Sequence, residues 1–296
     1  DVIMRKYKPM FDATVKSAFK KWAVDDVITP ELMYEPLTKK EMYQLKAQIK
    51  RWIVHSDYKD NKQFVTKMER MLKMPRMRRT DWLDLNFHKT ATLIKKEQYG
   101  YYVSKLYNDW LDSSRSVARL LNRSFTVAGD DVIYKAINRS WHGSDLMSRV
   151  YHQATDLAGR WLNAFKKSIG KLGKKLEDLM PMFKYYFGKG DGKARNLMKI
   201  QSTRINTESK IDAFKKLDIK YYQFIAVMDS RTTTVCRRHD LKVYKVSDGV
   251  LYENLPPLLN EQFHTCRSTI RNYEINDLSK KEDKEIPTTK PKPTTF

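Results

Sequence analysis

Two stretches near the C-terminal end hold the residues best suited to chemistry. "MDSRTTTVCRRHDLKVY" (228–244) carries Cys236 and His239, and "FHTCRST" (263–269) carries His264 and Cys266. These are the chain's two cysteines and two of its six histidines. The spacing is C-x2-H, twenty-four residues, then H-x-C. Four nitrogen and sulfur ligands suit a closed tetrahedral zinc site, with Cys236, His239, His264 and Cys266 as the candidate ligands. Two other readings stand beside zinc. One is a Cys236–Cys266 disulfide across a hairpin; the other is plain packing of buried thiols. Nucleophilic catalysis by Cys236, with Arg237 and Arg238 lowering its pKa, would need an oriented base that the sequence does not supply.

Asp229 stands at a strand end, followed by Ser and Thr residues, where an Asp commonly accepts hydrogen bonds from the next backbone amides in an Asx turn. A catalytic carboxylate is the alternative. It would belong to a metal-dependent nuclease using Asp229, His239 and His264. The sequence offers no clustered carboxylates for two metals and no complete nuclease motif. "FGKGDGKAR" (187–195) invites a phosphate-loop reading and fails it. Three residues separate Gly188 from Gly192 where four are needed, and Ala194 replaces the Ser or Thr after the lysine. It reads as a hinge between helices.

The elements that must position these residues are legible in outline. Tyr7, Phe11, Phe19 and Trp22 are aromatic anchors at the start of the chain. "ITPEL" predicts a helix start with Thr29 as cap and Pro30 at the first position. "TKKE" predicts a capping box of Thr38 with Glu41, opening a helix to about Trp52. Residues 84–122 read as helix with Leu85, Ile94, Tyr102, Leu106, Trp110 and Leu120 as core. Residues 127–131 read as a turn. Ser144 is the expected cap of a long helix whose Leu146, Val150, Ala154, Leu157, Trp161 and Phe165 form one apolar stripe. A further helix over about 193–217 places Leu197, Ile200, Ile211 and Phe214 on one face. Arg204, Thr207 and Glu208 also share a face, and buried polar groups need partners. They read either as an Arg204–Glu208 pair one turn apart or as a tie between this helix and the segment after it. From 220 the pattern changes to strands: "KYYQFIAVMD", "LKVYKV" and "CRSTIRNYE".

The fold class is therefore α+β: a mainly helical N-terminal region, then a small antiparallel β-sheet unit, then an extended C-terminal tail. The charged, Pro- and Thr-rich tail cannot build its own core. The 296 residues carry 57 Lys and Arg against 35 Asp and Glu, a formal net charge of +22. That excess favours a polyanionic partner. Arg76, Arg78 and Arg79 in "MPRMRR", with Lys171, Lys174 and Lys175, are the candidate DNA contacts. The bland reading of "MPRMRR" is a helix end and a solvated turn. No run reaches the roughly 18 apolar residues of a membrane span. The opening "DVIMRKYKPMFDATVK" lacks the apolar core of a signal peptide, so synthesis in a cytoplasm is expected.

"STRINTES", "MDSRTTTVCRRHDLKVY" and "PPLLNEQFHTCRSTI", in that order, resemble the three successive motifs of the phage Mu F-like head morphogenesis, or minor head, proteins. The matching positions are Thr207 and Glu208; Asp229, Arg231 and Thr232; Cys236; and Cys266 with Arg267. Phe263 stands where the family usually has His, and His264 follows one step later. "SWHGSDLMSRVY" also looks like the family's helical region, so motif-level resemblance covers about 140–273. The resemblance implies a minor capsid protein of a tailed bacteriophage, inside the head near the portal, assembled in the host cytoplasm. It implies roles in head morphogenesis and in DNA packaging or delivery, without turnover. The implied partners are the portal protein, the major capsid or scaffolding protein, and packaged double-stranded DNA held without sequence preference. No membrane contact is implied, and zinc is the one cofactor to consider. The expected organisation is a helical region (1–139), a long amphipathic helix and Gly-rich hinge (140–192), the α+β core (193–275), and a polar tail (276–296).

Overall fold

Helix starts are set by local chemistry. Thr29 accepts a hydrogen bond from the Leu32 N–H at 3.3 Å ahead of α2 (Pro30–Tyr34). Thr38 forms a complete capping box with Glu41 at the head of α3 (Lys39–Val54). Both are as the sequence predicts. In this computed structural model the described residues are 2–140, 143–170, 173–181, 191–258 and 266–274. The chain falls into two units. The first comprises Asp1–Val103 and Asn138–Arg195, the second Ser104–Ile137 and Asn196–Phe296. Each is therefore built from separated segments, which cut across the linear division expected above.

The first unit contains α1 (Val2–Trp22), α2, α3, α4 (Lys62–Lys73), the first part of α5 (Arg79–Leu120), α7 (Leu146–Ile169) and a helical stretch α8 (176–181). Its core centres on Phe11, which stacks on Phe87 at 5.1 Å and meets the edge of Trp161 at 4.8 Å. Burying each such side chain stabilises by about 1.5–3 kcal/mol. The predicted α7 stripe is buried along its whole length. Its cap is Asp145, whose carboxylate accepts from the Ser148 N–H at 2.7 Å, one residue after the expected Ser144. A two-residue ladder pairs β1 (Val27–Ile28) with β2 (Lys174–Lys175). Gly173 permits this approach: a Cβ there would lie 2.8 Å from the Ile28 carbonyl oxygen, and its φ of +81 is one that L residues rarely adopt.

The second unit contains the end of α5, α6 (Asp130–Ile137), α9 (Asp191–Lys216) from Asn196 onward, α10 (Thr234–His239) and a three-stranded antiparallel sheet. The strands are β3 (Tyr221–Ile225), β4 (Val243–Lys245) and β5 (Thr269–Tyr273), with β3 in the middle. Tyr222 pairs with Tyr244 on one side and Asn272 on the other. Ile211, Phe214 and Leu217 of α9 and its exit pack with Tyr222, Val246 and Ile270. Along α5 and α9, Asp109 bonds Ser202, and Ser113 bonds the Asn206 carbonyl. Both numbers rise by four, so the helices run parallel here. Small hydroxyls make this close packing possible, with Ser114 and Ser209 oxygens 2.7 Å apart.

The architecture is thus the expected α+β, mainly helical with a small antiparallel sheet. Two local expectations change. Leu120, expected in the core, is 79% exposed. It is the last residue of α5, where Val117 and Leu121 take the inward positions. Of the expected hinge 187–195, residues 191–195 already belong to α9, and 187–190 lie outside the described residues. The expected polar tail also lies outside them, from 275 onward. Among the described residues no helix is long and apolar enough to cross a membrane.

Candidate functional site

The motif residues meet at one end of the β3–β5 pair. Ile225 at the end of β3 lies opposite Thr269 at the start of β5, so the loop after β3 and the segment before β5 must approach one another. The expected Asx turn is present. Asp229 Oδ1 accepts from the Arg231 N–H at 2.8 Å, while the Asp229 N–H donates to the Thr232 hydroxyl at 2.8 Å. That hydroxyl donates in turn to the Val227 carbonyl. Thr233 then caps α10, and the Arg237 guanidinium donates to the Asp229 carbonyl at 2.8 Å.

The turn is clamped to β5 by Arg267, which donates to Asp229 Oδ1 at 2.5 Å. This bond and that from the Arg231 amide hold the Asp229 carboxyl well below the usual carboxylate range. The same pairing raises Arg267. A carboxylate held so low is a poor proton acceptor at neutral pH. Its geometry is that of a structural clamp. The Arg231 side chain projects outward, 77% exposed.

Cys236 lies on α10, where the sequence reading placed it only after a strand. It is buried, as is Cys266, and both join Phe224, Ala226 and Leu258 in one apolar cluster. Neither is in a disulfide. His239 Nδ1 is 2.8 Å from the Tyr244 hydroxyl, and its ring lies against Phe224 and Tyr244. Burial, then the charge of Lys242, lowers its pKa and keeps it neutral. Among the described residues no three His, Cys, Asp or Glu side chains are grouped to hold a metal. His264, the fourth candidate ligand, lies outside the described residues.

The α9 residues hold the unit together in a way the sequence showed only in part. Arg204 and Glu208 form the expected pair at 3.1 Å, with both side chains buried. The guanidinium also donates to the Ala136 and Ile137 carbonyls at 2.9 and 3.0 Å. Those carbonyls end α6, where the last turn lacks intrahelical donors. Arg204 therefore ties α9 to a preceding segment, not to the following one. Thr207 is buried and donates to the Thr203 carbonyl of its own helix. The link to the following segment comes from Thr203, whose hydroxyl reaches the Cys266 carbonyl at 2.9 Å, and from Lys210. Lys210 donates to the Thr269 hydroxyl at 2.7 Å and the Ile270 carbonyl at 3.2 Å; burial lowers its pKa. Thr203, Thr207 and Lys210 recur at i, i+4 and i+7, a polar stripe on one helix face that could have exposed this role.

The basic candidates separate by environment. Arg76 and Arg78 are exposed, as are Lys174 and Lys175 on β2. Arg79 turns inward: it pairs with Glu35 at 2.8 Å, donates to the Leu32 carbonyl and lies over the Trp22 ring. Lys171 lies outside the described residues. No family model, curated protein or solved structure matches the chain.

Proposed function

We propose that this chain is a minor head protein of a tailed bacteriophage, acting inside the head near the portal in head morphogenesis and in DNA packaging or delivery. The observation that supports this best is the meeting of the resembling motifs. Asp229, separated by 38 positions from Arg267, is bonded to it at 2.5 Å. Cys236 and Cys266 lie together beside that pair. A motif set that serves to fasten strand ends suits an assembly component without turnover. The net charge of +22 suits a place beside packaged DNA, where Lys and Arg replace counterions on phosphates. Exposed Arg76, Arg78, Lys174 and Lys175 are the proposed phosphate contacts. The portal protein and the major capsid or scaffolding protein are the proposed protein partners.

Deleting the gene from its source phage tests this reading. The expected outcome is heads that assemble poorly or fail to retain or deliver DNA, restored by supplying the chain in trans. Unchanged particle yield, DNA content and infectivity would overturn it.

A further inference from the structure

The chain's two cysteines occupy the interior of the second unit, 3% and 2% exposed. Cys236 comes from α10 and Cys266 from the residues leading into β5. The two side chains pack in one buried cluster with Phe224, Ala226 and Leu258. Both cysteines line one small crevice with Val227, Thr232, Arg267 and Ser268. The backbone on each side is already fixed. Thr233 caps the turn carrying Cys236. The Thr203 hydroxyl holds the Cys266 carbonyl, and Arg267 is bonded to Asp229. Two thiols packed in one cluster between pinned segments are an arrangement from which a disulfide can be tested.

We propose that Cys236 and Cys266 form a redox clasp, joined as a disulfide when transient opening of the crevice exposes a thiol to a small disulfide such as oxidised glutathione. One cysteine thiolate attacks a glutathione sulfur and releases one glutathione. The second cysteine displaces the other and forms the protein S–S bond. Two protein S–H bonds are broken, and oxidised glutathione is reduced to two thiols that take up both protons. The attacking species is a thiolate, so closure is faster as pH rises. The bond encloses the chain between 236 and 266 and fastens α10 to the start of β5. By loop-closure entropy, a loop of that length raises the melting midpoint by about 10 °C. The clasp is a property of the chain's own thiols and does not depend on the proposed role in the head.

The experiment uses the purified full-length chain, reduced and then incubated with oxidised glutathione at about pH 7 and about pH 9. Free thiols are trapped by alkylation under denaturing conditions, and linked peptides are mapped by mass spectrometry. Thermal melts are run with and without dithiothreitol. The expected result is a Cys236–Cys266 link within a monomer, formed faster at the higher pH. Its melt lies above that of the reduced chain, and dithiothreitol reverses the shift. Cys236→Ser removes both the link and the shift. The link and the melt are read on the unaltered chain, so a variant that fails to fold leaves the test intact. Thiols that stay alkylatable, links only between chains, glutathione adducts alone, or a link without a higher melt would each overturn the clasp.

Discussion

Replacing Arg204 by Met takes the most deeply placed charge among the described residues out of the second unit. Arg204 is 1% exposed. It makes four hydrogen bonds of 2.9–3.1 Å, to Gln201, Ala136, Ile137 and Glu208. Removing one partner of a buried ion pair costs about 3–5 kcal/mol, because the other charge stays in a medium that solvates it poorly. The two α6 carbonyls lose donors as well, at about 1 kcal/mol each, partly contained in the same figure. We expect Arg204→Met to destabilise by about 4 kcal/mol, against about 1 kcal/mol for an average substitution. Glu208→Gln leaves the Arg204 cation without its counter-charge but keeps its other three bonds, so it should cost about 3 kcal/mol, the low end of that range. Arg204→Met combined with Glu208→Leu removes both charges and should cost about 1–3 kcal/mol less than the sum of the separate replacements. Urea unfolding gives the totals, and hydrogen exchange at α6 and α9 amides assigns the loss to the second unit. A cost for Arg204→Met below about 1 kcal/mol, or additivity of the two sites, would refute this reasoning.

Further outcomes follow from the clamp, the neutral histidine and the surface charge. Asp229 has a folded pKa below its unfolded value of about 3.9, so its stabilisation is complete above that pH and is lost as pH falls toward the folded value. Asp229→Asn should flatten this acid limb in urea midpoints; parallel acid limbs would count against the clamp. His239 has a folded pKa below the unfolded value of about 6.5, so the unfolded chain takes up the proton first as pH falls and stability drops in that window. His239→Phe should remove the drop, and an unchanged pH profile would show the ring is not held neutral. DNA affinity should fall linearly with salt on logarithmic axes, and replacing Arg76 and Arg78 by Ala should reduce the slope by about 0.9 for each phosphate that is no longer neutralised. A salt-independent affinity would contradict phosphate binding, while Arg79→Ala should act through stability because Arg79 is held by Glu35.

What the sequence revealed depended on how local its causes were. Thr29 and Thr38 cap through bonds to residues three positions away. Such signals are complete within a short window, as is the Asx turn at Asp229. The apolar stripe of α7 was legible because periodicity reports which face is buried, and β3 because its residues are aromatic and β-branched. Non-local partners were not legible. Arg204 invited the reading of a neighbouring pair, but its reach to Ala136 and Ile137 depends on α6 lying beside α9, which no spacing encodes. Likewise α5 supplies residues to both units, so linear segments could not reproduce them. The short α10 was hidden because "TVCRRH" holds just one fully buried residue, Cys236, too few to show a helical period. The convergence of Cys236 and Cys266 followed from the antiparallel pairing of β3 with β5. The turn of His239 toward Tyr244 did not.

The central claim is that this chain belongs inside the particle. Quantitative mass spectrometry of purified particles from the source, comparing DNA-filled with emptied heads, tests it most directly. The account predicts a few copies in each filled particle, and their loss on emptying would add exit with the genome. Absence from filled particles would contradict the account.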